Sequence, residues 1–205
     1  MAFALLLPPA LAGYKARPWS IRPPETYASR LTSEGVTIAV EPLFLDSIAA
    51  KVFDKNDMVT RGIMPLAIVI FNDNDFPVMV DGESVELTTG DDRIRTLAPG
   101  EAVHRLFSKE KKNVWIPQPV PRLPTQDRTN IEALQDFEHK FLEKKIVEPH
   151  NKSGGFLFLH IPESKDIRGY LSRARVYLPE IYRHDTGANM IFFEVDLKPA
   201  VAAVP

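Results

Sequence analysis

Asn72-Asp73-Asn74-Asp75 puts four oxygen-bearing side chains into four consecutive residues. Carboxylate and amide oxygens are the hard donors that calcium takes, so Asp73 and Asp75 are the candidate metal ligands of this chain. The same side chains bond their own backbone and favour turns, which accounts for the run without an ion. It has neither the glycine nor the downstream glutamate of an EF-hand loop. Calcium is the one cofactor these residues suggest, and no other is implied.

Other chemistry finds less support. His104, His139, His150, His160 and His184 are scattered, without the i, i+4 spacing that sets two imidazoles on one helix face for zinc. His160 with Asp185, or Glu138 with His139, can be drawn as acid–base pairs, but a chain this long offers many such pairs. Ser153-Gly154-Gly155 is not the G-x-S-x-G elbow of a serine hydrolase, and neither phosphate-binding glycine motif occurs. With no cysteine, thiolate nucleophiles, disulfides and Cys-ligated zinc are excluded. No catalytic residue is assigned.

The elements that position these residues read mainly as strands. Val36, Ile38 and Val40 alternate with Thr37, Ala39 and Glu41, the period of a half-buried strand. Residues 65–71 are too continuously apolar for one wet face, which predicts a middle strand covered on both sides. Residues 78–80 and 84–88 supply short partners, and Asp91-Asp92 turns into Arg93-Ile94-Arg95 as a hairpin. Ser153-Gly154-Gly155 releases the apolar strand Phe156-Leu157-Phe158-Leu159, expected to face the Leu66 strand across stacked layers. Arg173, Arg175 and Tyr177 share one side of a further strand, with Ala174, Val176 and Leu178 buried on the other. Met190-Ile191-Phe192-Phe193-Glu194-Val195 is the last strand.

Helical insertions are expected at residues 46–54, 99–108 and 129–147, the last from Ile131, Leu134, Phe137, Phe141 and Leu142 at helical spacing. Eighteen prolines suit turns and long connections. Four of them lie in WIPQPVPRLP, which begins at Trp115 and reads as an extended crossing that blunts a strand edge or forms a binding ridge. Trp115, Arg173 and Arg175 are the candidate interaction surface.

Residues 1–12 are apolar and end in Ala10-Leu11-Ala12, a small-residue pattern that fits a signal-peptide cleavage site, although the basic region that opens such peptides is missing. The run falls short of the ~20 residues of a membrane-spanning helix. The expected organisation is a truncated leader (1–12), an irregular arm (13–34), one domain (35–198) and a loose tail (199–205). A net charge of −2 gives no field for gathering nucleic acid.

An apolar strand ending in Asn72-Asp73-x-Asp75-x-Pro77-Val78, then Ser84-Val85-Glu86-Leu87, Gly154-Gly155-Phe156-Leu157-Phe158 and a closing Phe192-Phe193-Glu194-Val195, resembles bacterial exported proteins of undetermined function with an immunoglobulin-like sandwich. The resemblance spans residues 35–197 and supplies no catalytic residues. It implies a mainly β fold, an immunoglobulin-like antiparallel β-sandwich of seven or eight strands with two or three accessory helices. The functional expectation is a non-catalytic protein of the periplasm, outer envelope or medium, binding a protein partner or envelope component. The alternatives are a small exported hydrolase or metal-dependent enzyme, and a carrier holding an apolar molecule between the sandwich and the helix at 129–147.

Overall fold

Apolar runs punctuated by Asn, Asp and Gly become strands in the computed structural model, which describes residues 13–90, 92–94, 96–108, 128–161 and 166–205. β1 (Ser29–Ser33) and β2 (Val36–Pro42) form a hairpin across Glu34 and Gly35, both at positive φ. A short helix α1 (Asp46–Ala49) leads to β3 (Ile63–Asn72). After the Asn/Asp corner come β4 (Val78–Asp81), β5 (Glu86–Thr89), β6 (Asp92–Ile94) and β7 (Thr96–Leu97). Helices α2 (Pro99–Phe107) and α3 (Arg128–Lys140) precede β8 (Lys144–Val147) and β9 (Asn151–His160). The chain closes with α4 (Ile167–Leu171), β10 (Ala174–Arg183), β11 (Asn189–Asp196) and α5 (Lys198–Ala202).

These strands make a β-sandwich of two antiparallel sheets. Sheet A runs β1-β2-β3-β9-β7. In sheet B, β10 is the spine: β11 pairs along one edge, while β5 and β4 share the other end to end and are extended by β6 and β8. Alternation sends Ile38, Ile68 and Ile70 into one large core that also holds Val80, Val176, Leu178 and Phe193 of sheet B.

β3 is buried at all ten positions, so both faces of sheet A are covered. At the β9 end the cover is aromatic: Phe137 of α3 stacks on Phe158 at 4.7 Å, and Phe53 meets Phe156 at 5.2 Å. At the β2 end it is the N-terminal arm, whose Tyr27 joins Ala39, Val69 and Phe71 in a second small cluster against Trp19 and Ile21. Ordered structure therefore begins ahead of residue 35. The expected irregular arm is part of the packing, and its last residues are strand β1.

Several further expectations are corrected. The Leu66 and Phe156 segments do not face each other across layers; they are neighbours in one sheet, with Leu66 opposite Leu157 and Ala67 opposite Phe156. Ser153-Gly154-Gly155 lies inside β9 rather than before it, because the pair runs against other backbone: a Cβ on Gly154 would sit 2.6 Å from the Ile68 carbonyl oxygen, and one on Gly155 2.9 Å from Lys140 O. The third helix stops at Lys140 instead of continuing to 147. Leu142 N–H donates to Phe156 O, and Lys144–Val147 turns away to pair with β4. The tail is not loose: α5 buries Ala200 and Val201, and Ala200 N–H donates to Ser29 Oγ at 3.0 Å. The described residues hold eleven strands and five α-helices, more than expected, since short pairings such as β6, β7 and β8 give no periodic signal of their own. The leader and the Trp115 ridge lie outside the described residues. No helix among the described residues is long and apolar enough to cross a membrane.

Candidate functional site

At the Asn/Asp corner the polar groups close the turn. Asn72 is buried, and its amide nitrogen donates to the carbonyls of Phe76 (2.8 Å), Val147 (3.0 Å) and Glu148 (3.2 Å). Its Oδ1 accepts from Asn74 N–H at 3.1 Å, and the Asn74 amide reaches Glu34 O at 2.9 Å. Asn72 thus fastens the end of β3 to the end of β8, in the other sheet. The Asp73 N–H donates to Gly35 O, and the exposed Asp75 carboxylate pairs with His150 at 2.8 Å. Among the described residues no group of three or more His, Asp or Glu converges as a metal site would.

The outer face of sheet B carries the other expected residues. β10 alternates as its sequence requires: Ala174, Val176 and Leu178 point inward, and Arg175 and Tyr177 outward. Arg173 is exposed just before the strand. Arg175 Nη1 donates to Glu194 Oε1 at 3.0 Å, raising its guanidinium above the ordinary arginine value through that bond and the charge behind it. Opposite Tyr177 stand Glu86 on one side and Glu194 on the other. Phe192 is 58% exposed, with its ring 5.9 Å from that of Tyr177. This open Phe and the neighbouring Tyr lie on the same sheet face as Arg175, Glu194 and the Arg93–Glu86 pair. Phe192 was missed from sequence because the doublet Phe192-Phe193 does not say which ring faces out. Phe193 is the buried one.

Sequence reasoning also missed a buried ionic brace. Asp136 and Lys140 lie one turn apart on α3 and are bonded at 2.7 Å, their side chains 5% and 7% exposed. Tyr14 from the arm donates its hydroxyl to the same Asp136 oxygen at 2.6 Å, and Lys140 Nζ donates to Val52 O at 2.9 Å, with the Phe53 ring centroid 5.0 Å from the ammonium. Burial pushes the Tyr14 hydroxyl above its ordinary value, reinforced by its bond to Asp136. Burial pulls the Lys140 ammonium down, against the pull of Asp136. The signal was present in the sequence: Ala133, Asp136, Phe137 and Lys140 form one helical stripe, which places two charges among apolar neighbours. Nearby, Arg17 clamps the arm to the turn after α1, donating to Ala50 O at 2.5 Å and Asp54 Oδ1 at 2.6 Å. The Arg17 bond holds the Asp54 carboxyl below the ordinary carboxylate range.

Between arm and α3 lies a groove of about 510 Å³, bounded by Arg17, Pro18, Trp19, His139, Lys140 and Gly154. The brace forms one wall of it.

No protein-family model matches the sequence, and no curated protein matches it. Among the solved structures to which the chain is weakly similar are two from Bacillus subtilis. The YjhA protein of Bacillus subtilis is 9% identical with a TM-score of 0.38, over 74% of this chain and 78% of that one. A candidate lipoprotein, YcdA, from Bacillus subtilis strain 168 is 9% identical with a TM-score of 0.40, over 82% of this chain. This chain spans 38% of YcdA's length. No functional residue is carried over from either.

Proposed function

We propose that this is a non-catalytic binding module built on an immunoglobulin-like sandwich, exported to the envelope or beyond it, which engages a protein partner through the outer face of sheet B. The observation that carries the reading is Phe192, 58% exposed on β11, where the adjacent Phe193 is buried. Water-exposed aromatic area of this kind costs solubility and is offset when a partner covers it. Arg173 and Arg175 supply charge at the rim, where it steers association.

The brace fits the same reading. A catalytic acid or base has to reach a substrate, whereas Tyr14, Asp136 and Lys140 direct their polar atoms at one another and at a backbone carbonyl. The space where an apolar molecule would be carried, between α3 and the sandwich, is occupied by the rings of Phe53, Phe137, Phe141 and Phe158. Export is favoured by the apolar run ending in Ala10-Leu11-Ala12.

The test is affinity capture from the native envelope fraction with the wild-type protein, Phe192→Glu and Arg175→Glu in parallel, identified by mass spectrometry. Phe192→Glu is expected to abolish capture of a partner the wild type retains and Arg175→Glu to weaken it. Equal capture by all three proteins contradicts the proposal.

A further inference from the structure

The outer face of sheet B is apolar well beyond Phe192. Cross-strand register carries its outward side from β10 to β4 and β8: Tyr182 stands opposite Met79, and Met79 opposite Ile146. Tyr182 and Met79 are half-buried, and Ile146, on the edge strand β8, is 45% exposed. Tyr177 and Phe192 continue the band on β10 and β11, their rings 5.9 Å apart. Among the described residues four large apolar side chains are exposed, and this one face holds two of them, Ile146 and Phe192. A single exposed side chain is ordinary, whereas a band that reaches from one edge of the sheet to the other marks a surface that is covered.

The charges beside the band are compensated within the face. Arg93 is paired with Glu86, Arg175 is bonded to Glu194 and lies in the field of Asp196, and Asp81 stands opposite Lys144. Arg173 and Glu180, toward opposite ends of β10, are of opposite sign. Four bases against five acids leave the described residues of this face one charge from neutral. A strongly charged partner, such as a nucleic acid or an acidic membrane, gains nothing here from charge complementarity. An identical face brings no net field to be overcome, and it offers both signs to both signs. The area is sufficient as well. β10 has ten residues, about 33 Å at ~3.3 Å each, and the face is four strands wide, about 19 Å at ~4.8 Å each. That is about 600 Å² per copy and about 1,200 Å² for two, the lower end of specific interfaces.

We propose, resting on the reading that Phe192 marks a covered face, that what covers it is a second copy of the chain: the protein is a symmetric dimer joined through the outer faces of two B sheets. The contact is isologous, so Ile146, Met79, Tyr182 and Phe192 of each copy lie within the patch that the other copy covers. The two sheets stack across the band as the two layers of a sandwich do, and the compensated charges lie within and around it.

The test is sedimentation equilibrium of the full-length protein across the micromolar range. The wild type is expected to be a dimer that dissociates within that range, as an interface of this size allows. Ile146→Lys and Phe192→Glu, both at exposed positions on the face, should each raise the dissociation constant at least about tenfold. Ile131→Lys, at an exposed apolar position on α3 away from the face, should leave it unchanged. Two substitutions on different strands of the face keep the result readable if one of them disturbs the fold. A wild type that is monomeric at the highest concentration, or a dimer indifferent to both substitutions, overturns the proposal. A monomer that still captures a different protein through Phe192 overturns the dimer alone and leaves the reading of Phe192 standing.

Discussion

Asp136 is the residue on which the arm and the helix meet. Its carboxylate receives both the Tyr14 hydroxyl and the Lys140 ammonium with both charged side chains largely buried, so removing it strands a buried positive charge. Asp136→Ala is expected to cost about 3–5 kcal/mol in urea unfolding, and the pair Asp136→Ala/Lys140→Met to recover much of that loss. A double variant no more stable than the single one would contradict the brace. The titration of the same cluster has two opposed signs. The Tyr14 pKa is raised above its ordinary 10.0, so its contribution is complete below about pH 10 and is lost as pH rises toward the folded value. The Lys140 pKa is lowered from 10.5, so between its folded value and 10.5 the unfolded chain binds more protons and stability rises with pH. Unfolding followed through pH 9–11.5 should therefore show Tyr14→Phe declining less steeply than the wild type above pH 10, by up to about 1.4 kcal/mol per pH unit. Parallel curves would mean that Tyr14 ionises freely.

Close backbone approaches set the elements. Gly154 sits where β9 passes under Trp19 and beside β3, and a methyl group there meets the Ile68 carbonyl oxygen at 2.6 Å. Gly154→Ala is expected to destabilise by about 1–3 kcal/mol in thermal or urea unfolding, and an unchanged midpoint would show that the strands can part. Much of this level was legible in the sequence. Alternation identified the buried side of β10, and the unbroken apolar run of β3 required cover on both faces. What covers it was not legible, because Tyr14, Trp19 and Tyr27 anchor the arm one by one, at irregular intervals that leave no period. The end of α3 was overrun for the opposite reason: Phe141, Leu142 and Ile146 prolong a helical spacing, yet Leu142 is tied to Phe156 and the next residues complete sheet B along β4. Of the candidate site, Arg175 and Tyr177 followed from alternation. Phe192 did not, since only the register of β11 against β10 tells it from Phe193.

The arm and α3 lie on sheet A, and sheet A lies on sheet B. Sheet A is covered on both faces at β3, while Arg175, Phe192, Glu194 and Asp196 on the outer side of sheet B are open to solvent. If the arm is a layer of the domain rather than an irregular lead-in, it unfolds with the sandwich. In a Trp115→Phe background, where Trp19 is the remaining tryptophan, its fluorescence and the far-UV circular dichroism should share one urea transition. An earlier fluorescence transition would separate the arm from the domain. The central claim is that sheet B's open face is where a partner sits. It is tested most directly by placing a photo-crosslinking amino acid at Phe192 and, as a control, at the exposed Thr186, then irradiating cells of the native host. A discrete crosslinked protein from position 192 and none from 186 is the expected result; no adduct at 192, or the same adducts from both positions, would contradict it.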